Sequence, residues 1–203
     1  MSLQKASASK EFVSIIGGKF RKQVEEGTPE SIKRDYEKSD GSKGVKYELV
    51  FDSVEGVISN VSFADTDFGK VFHIEIDGVT VSTGTDGRYF SDIIKRLAGA
   101  DLSKPVTLKP YDFEAEGKKL TGVSVQQGGE KLKNFFYDGE KNLHGFPVME
   151  DKNPDSDDWK IYFTKVKKFL VKYVEDNMMK VTESDLNMES TSTDVGDREN
   201  LPF

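Results

Sequence analysis

Residues 70–83, KVFHIEIDGVTVST, decide the fold. Apolar and polar residues alternate on both sides of Asp77-Gly78, and such a pair between two alternating segments is the strongest short-range signal of a β-hairpin. The pattern predicts one strand over 70–76 and a second over 79–83. Three apolar side chains of the first strand share one face: Phe72, Ile74 and Ile76. The segment is therefore expected to form a hairpin with one face turned to a core.

The same alternation continues outward from this hairpin. It predicts an earlier strand over 54–63 and two later strands over 105–113 and 118–127. Short Gly- and Asp-containing segments separate them, which is typical of turns. The alternating region therefore contains five predicted strands.

A helix is predicted between the third and fourth of these strands. Thr85 or Asp86 would cap it and Gly99 would end it. Its apolar stripe consists of Tyr89, Phe90, Ile93, Ile94 and Leu97. Three strands, one helix and two strands is the element order of the OB-fold, which binds oligonucleotides on its sheet face and two loops. The expected fold class is mainly β, a five-stranded OB-type barrel with a helix between strands 3 and 4; another small α+β sheet is the alternative.

The barrel is expected to occupy 47–137 in a chain of four parts. Residues 1–46 form an N-terminal extension, partly disordered, with a helix start near Thr28. Residues 138–180 form a loop and an added amphipathic C-terminal helix that starts at Ser156 or Asp157. Its stripe, which would dock on the barrel or on another subunit, consists of Trp159, Phe163, Val166, Leu170 and Val174. Residues 181–203 contain too few apolar groups to offset the cost of ordering, so disorder is expected there.

The composition argues against an enzyme. The chain has no cysteine, only two histidines, and none of the familiar phosphate-loop, nucleophile-elbow or zinc-protease motifs. We therefore expect no catalytic residues, no metal and no cofactor. No long apolar segment or signal-peptide core is present, so no membrane contact and a cytoplasmic location, the host cytoplasm if the protein is viral, are expected. The net charge is −7, but residues 175–203 carry −6 of it, which leaves a near-neutral body.

Binding of single strands requires aromatic faces for stacking and cations along the phosphates. On the fourth predicted strand, Val106 and Leu108 would face the core, which turns the alternate residues outward. The outward side of the second strand and the two flanking loops add further aromatic and basic groups. The candidates are Phe68, Lys70, His73, Lys109, Tyr111, Phe113, Lys118 and Lys119. The alternative is that Tyr111 and Phe113 close the barrel under the C-terminal helix.

The N-terminal segment GGKFRK, residues 17–22, is a second candidate for DNA binding. Its two glycines permit close backbone approach, and an aromatic residue is interleaved with cations. Its candidate residues are Lys19, Phe20 and Arg21. A turn before a surface segment explains the same pattern.

The last seven residues, DRENLPF (197–203), closely resemble the acidic tip of bacterial-type single-stranded-DNA-binding proteins. In that family an OB barrel is followed by a disordered linker and an acidic tip that ends in an aliphatic residue, proline and phenylalanine. The matching residues are Asp194, Asp197, Glu199, Leu201, Pro202 and Phe203. The extension, the added helix and the compact tail look more like bacteriophage-encoded members.

The resemblance implies binding of single-stranded DNA during replication, recombination and repair. It also implies recruitment of a polymerase, primase, helicase or nuclease through the tip. The oligomeric state stays open, a homo-oligomer included. The rival hypothesis is an OB-type adaptor that binds proteins and never nucleic acid, which the near-neutral body allows. A nuclease that holds a metal on Asp65 and Asp67 is a more remote alternative.

Overall fold

A computed structural model describes residues 11–37 and 41–179. Within them the protein is mainly β, with eleven strands and two helices. The strands are β1 (Glu11–Ile16), β2 (Lys19–Val24), β3 (Ile32–Glu37), β4 (Lys43–Phe51), β5 (Val54–Gly56), β6 (Ile58–Thr66), β7 (Gly69–Ile76), β8 (Val79–Gly84), β9 (Val106–Ala115), β10 (Lys118–Gln127) and β11 (Glu130–Lys131). The helices are α1 (Arg88–Leu97) and α2 (Ser156–Tyr173), and a π-helical segment, Val174–Met178, continues α2.

The strands form two sheets. The larger has the order β3-β4-β2-β1-β8-β7-β6 and is mixed, because β1 runs parallel to β8. The smaller has the order β11-β10-β9-β5. The chain passes from the smaller sheet to the larger at Val57, between β5 and β6. There the Val57 amide donates to Asp77 Oδ1, and the Asp77 amide donates to the Val57 carbonyl, each over 3.2 Å.

The predicted five-stranded barrel needs correction. The structure does not show a closed five-stranded barrel, and no helix lies between β3 and β4 of its eleven described strands; the predicted helix is α1, which lies between β8 and β9. The strand predicted over 54–63 is divided between the two sheets, and the parallel neighbour of β8 is β1, which comes from the predicted N-terminal extension. The helix start near Thr28 is also wrong. Thr28 lies in the turn between β2 and β3, where its amide donates to the Glu25 carbonyl over 3.2 Å.

The core confirms the apolar faces of the hairpin and of α1. Phe72, Ile74 and Ile76 are fully buried, as are Phe90, Ile93 and Ile94 of α1. The rings of Phe72 and Phe90 meet edge to face, with centroids 5.3 Å apart. The predicted N-cap of α1, Thr85 or Asp86, is wrong, because Gly87 occupies that position. The Thr85 hydroxyl instead donates to the Lys70 carbonyl over 3.0 Å.

Only half of the predicted α2 stripe is covered. The helix begins at Ser156 as predicted, with a capping box between Asp155 and Asp158. Val166 and Leu170 are buried against the core, whereas the large aromatic residues of the first turns are exposed. The last two turns of α2 therefore hold it in place.

A buried carboxylate joins β2, β3 and β4. Glu48 accepts from Arg34 Nη2 over 2.6 Å and from Arg21 Nη1 over 3.1 Å. The hydrogen bond from Arg34, above all, holds the pKa of Glu48 below its usual value. Charged side chains on these strands therefore satisfy one another across the sheet, and Arg21 is engaged in the fold.

Candidate nucleic-acid interface

A cleft of about 630 Å³ lies between α1, α2 and the β9–β10 hairpin. We call it the α1–α2 cleft. Its charged and aromatic lining consists of Asp86, Arg88, Phe90, Asp92, Lys95, Arg96, Tyr111, Tyr162, Phe163 and Lys167. The lining thus carries four cations and two carboxylates together with three exposed or half-buried aromatic rings.

Strand β9 brings one of these rings into the cleft. Val106 and Leu108 are buried, as predicted, so the alternate side chains point to the other face of the strand. Tyr111 and Phe113 stand there side by side, with ring centroids 5.8 Å apart and planes inclined by 48°. Phe113 is 51% exposed, whereas Tyr111 is half-buried. Burial, followed by the nearby Asp92 carboxylate, raises the pKa of Tyr111, so the ring stays neutral at physiological pH.

The turn between β1 and β2 fixes β9 at this point. The Gly18 amide donates to the Tyr89 hydroxyl over 3.0 Å. A Cβ atom on Gly18 would clash with the Asp112 amide nitrogen and would lie 2.7 Å from the Tyr111 carbonyl carbon. The close approach that the two glycines permit is therefore to the backbone of β9. This contact helps set the position of Tyr111.

The N-terminal segment consequently does not supply the predicted site. Phe20 is fully buried, so its ring is part of the core and the prediction that it stacks on a base is wrong. Lys19 pairs with Asp52 at 2.5 Å. Arg21 is bound to Glu48. Two of the three predicted side chains are thus satisfied by carboxylates, and the third is inaccessible.

The cations of the cleft differ in whether a carboxylate pairs with them. Arg88, in the first turn of α1, has no ion-pair or side-chain hydrogen-bond partner among the described residues. It lies close enough to Tyr111 to act on the pKa of that hydroxyl. Arg96 is paired with Asp92 at 3.2 Å, and Lys167 is paired with Asp86. Arg88 is therefore the cation most available to a phosphate.

Lys95 contributes differently. Burial lowers the pKa of its ammonium group, which lies 5.2 Å from the centroid of the Phe146 ring. Asp92, in turn, accepts from the Val123 amide over 3.2 Å and so ties α1 to β10. These two groups belong to the wall of the cleft and fix the position of its helix.

Two other predicted residues lie next to the cleft. Phe68, in the β6–β7 turn, is 91% exposed. Lys70 extends over the Phe63 ring, and its carbonyl accepts from Thr85, a lining residue. The β6–β7 turn is therefore adjacent to one end of the cleft.

His73 lies elsewhere. It points away from the core side of β7, and its Nδ1 is 2.8 Å from Ser82 Oγ. The ring of Phe12 meets it edge-on, and burial lowers its pKa. The structure therefore does not bring His73 together with Tyr111.

The remaining predicted cations lie along the β9–β10 hairpin. Lys109, Lys118 and Lys119 are exposed. Lys119 is 3.3 Å from Asp112, and Leu120 stands opposite Phe113 in the register of the two strands. At the turn end of the hairpin, Lys118 therefore shares the face of Phe113, whereas Lys119 lies on the opposite face with Asp112.

The sequence alone did not single out Arg88, Tyr162 or Lys167 for this site. Tyr162 and Lys167 belong to a helix about 50 residues beyond Tyr111 in the sequence, so only its docking places them in the cleft. The signal that was present is the aromatic-rich first half of α2, which is too apolar for a helix face left in water.

No group of three or more metal-binding side chains comes together within residues 11–37 and 41–179. Neither helix of the described part has the length and apolar character needed to span a membrane. The predicted partner-binding residues, from Asp194 to Phe203, lie outside the described residues.

No protein-family model, curated protein or solved structure matches the chain.

Proposed function

We propose that this protein binds single-stranded DNA, with little sequence preference, in the α1–α2 cleft, and that it is a binding protein and not an enzyme. One observation carries the proposal: Tyr111, which packs beside Phe113, lines the same cleft as Arg88, a cation with no ion-pair partner among the described residues. Stacked bases contribute about 1–3 kcal/mol each, whatever their identity, because every base has a π face. Cations between such rings hold the phosphates.

The path of the strand follows from the positions of the rings and cations. Bases would stack on Phe113 and Tyr111, with phosphates near Lys118 at one end and near Arg88 in the cleft. At the other end of the cleft, Phe68 and Lys70 would contact the DNA strand where it leaves the site. Such a protein would protect single strands during replication, recombination or repair, in a bacterial or bacteriophage setting.

We also propose that the fold is a modified OB type. In support of this, β5–β6, β7, β8, α1, β9 and β10 follow the OB element order. The broken first strand pairs with β7 through β6 and with β9 through β5. The β1–β2 hairpin would then lie between the two halves of the barrel, because β1 pairs with β8 and β2 contacts β9.

The salt dependence of binding tests the role of Arg88. Affinity for fluorescent oligo(dT) should fall as salt rises, with a slope of about −0.7 in log affinity against log salt per phosphate neutralised. Arg88→Ala should weaken binding and flatten the slope by about 0.7, because it removes one unpaired cation. The matched control is Lys33→Ala, an exposed cation on β3 with no ion-pair partner in the described part of the chain, which should change neither the affinity nor the slope. An unchanged slope for Arg88→Ala would remove the residue from the site. No binding even at low salt would favour the protein-only adaptor.

The segment 182–203 is proposed to recruit replication or recombination proteins. It has six carboxylate side chains, one arginine and the sequence Leu201-Pro202-Phe203. An apolar ring that follows acidic residues fits a pocket with a basic rim.

Deleting residues 182–203 should leave the melting temperature unchanged, since the segment offers little apolar surface to bury. The affinity for oligo(dT) should stay the same or rise slightly, because an anionic competitor is removed. Binding of a polymerase, primase, helicase or nuclease to the immobilised protein should be lost, and a synthetic 182–203 peptide should compete for it. A truncated protein that unfolds or no longer binds DNA would show that the segment is structural.

A further inference from the structure

The first half of α2 carries an aromatic cluster that nothing in the described chain covers. Trp159 is 42% exposed and Phe163 is 56% exposed. Their rings are nearly parallel, with an angle of 26° and centroids 5.7 Å apart. Tyr162 packs against both rings, at 5.5 and 5.9 Å. Because Val166 and Leu170 already hold the helix to the core, the exposed pair is not needed to attach it.

This cluster is continuous with the cleft. Phe163 and Tyr162 line the cleft, and Trp159 lies one helical turn further out. A row of rings therefore leads from Tyr111 on β9, across the cleft, to Phe163 and then Trp159. The exposed rings of α2 therefore continue the aromatic surface of the cleft and do not form an isolated apolar patch.

Charge distinguishes the two flanks of this helix. The flank beside Ile161 is lined by three carboxylates, Glu150, Asp151 and Asp158, and one cation, Lys165, and this net charge of −2 would repel phosphates. The cleft side instead carries four cations and two carboxylates, a net charge of +2, and its Arg88 has no carboxylate partner among the described residues. An anionic ligand with aromatic faces fits the cleft side alone.

We propose that Phe163 and Trp159 form a second stacking site, which extends the bound single strand out of the cleft along α2. This inference rests on the proposed function, and it names the part of the DNA bound there: unpaired bases beyond those held by Tyr111 and Phe113. The bases stack on the exposed rings, while the phosphates run along the cleft side of the helix. The occupied length of DNA is therefore greater than the β9–β10 surface alone would cover.

Trp159 is the only tryptophan in the chain, so its fluorescence reports on this site directly. Oligo(dT) of about 16 nucleotides should quench it, whereas an abasic oligomer of the same length and charge should not, because stacking needs a base. An oligomer of about 4 nucleotides should bind in the cleft with little quenching.

Phe163→Ala should weaken binding of the long oligomer about 5- to 150-fold, as expected for the loss of one stacking ring, and weaken binding of the short one by a smaller factor, because Phe163 also lines the cleft. The matched control is Phe12→Ala. Phe12 is equally exposed, at 56%, but lies on the far face of the larger sheet, so this change should have no effect. Melting temperatures of both variants should equal that of the unmodified protein.

Fluorescence anisotropy of labelled oligo(dT) tests the second stacking site separately from single-stranded-DNA binding itself. If oligo(dT) binds but Trp159 fluorescence and the Phe163→Ala affinity are unchanged, the second stacking site is wrong and the proposed function stands. If no oligo(dT) binds, both fall. If light scattering shows a dimer that Phe163→Ala dissociates, the cluster is an interface between copies of the chain, and the stacking site is overturned.

Discussion

Replacing Tyr111 and Phe113 together with alanine is expected to weaken oligo(dT) binding by about 2–6 kcal/mol, roughly 30-fold or more, because each ring should stack on one base. The two rings share the outer face of β9, and Phe113 is more than half exposed. Anisotropy titrations at a fixed salt concentration measure the loss. The slope against salt should stay the same, since the change removes no cation.

Folding must be followed in the same variants, because Tyr111 is half-buried beside Asp92. Tyr111→Phe keeps the ring and should bind nearly as well as the unmodified protein, and Phe113→Ala alone should leave the melting temperature almost unchanged. If the double variant loses several degrees of melting temperature and no affinity, the rings belong to the fold and the stacking proposal is wrong.

The second large effect is expected from Gly18→Ala, which should lower the free energy of unfolding by about 2–5 kcal/mol. Part of this cost, about 1–2 kcal/mol, comes from the left-handed backbone at φ +72°, which an L side chain adopts unfavourably. The rest, about 1–3 kcal/mol, comes from the new Cβ, which would overlap the backbone of Asp112 and Tyr111. Urea denaturation measures the change.

Gly17→Ala is the matched control. Gly17 also has a positive φ, +57°, but a Cβ there would meet nothing within 4 Å. It should therefore cost only the conformational part, about 1–2 kcal/mol. Under conditions where it remains folded, Gly18→Ala should also weaken oligo(dT) binding, because it displaces β9 at Tyr111. Equal destabilisation by the two variants would mean that the β1–β2 turn does not fix β9.

The parts of the fold that are local in sequence could be predicted. The β7–β8 hairpin, the β9–β10 hairpin and the stripe of α1 each show their period within a single continuous segment of at most 22 residues, and their buried faces are as expected. The π-helical end of α2 and the exact helix caps could not be read in this way, because they depend on contacts with other elements.

Strands β1 to β4 were missed for a different reason. Charge pairs such as Arg34 with the buried Glu48 stabilise part of their packing, so they lack the alternation of apolar residues that marks a strand. The parallel pairing of β1 with β8 joins residues more than 60 positions apart, and no local pattern encodes it. This pairing is also what separates the structure from a simple five-stranded barrel.

The candidate site was predicted in part. Alternation on β9 correctly separated the buried Val106 and Leu108 from Tyr111 and Phe113. It could not show that Phe20 is buried, because the partner strand of β2 was unknown. The alternation pattern also could not show that Arg88 and α2 line the same cleft, because this depends on how the two helices dock.

Photo-crosslinking of oligo(dT) that carries thiothymidine, followed by mass spectrometry of the crosslinked peptides, tests the central claim most directly. If single-stranded DNA binds in the α1–α2 cleft, crosslinks should concentrate on the β9 peptide with Tyr111 and Phe113 and on the α2 peptide with Phe163. Crosslinks confined to the Phe12 and His73 face of the larger sheet, or none at all under conditions where a known single-strand binder reacts, would contradict it.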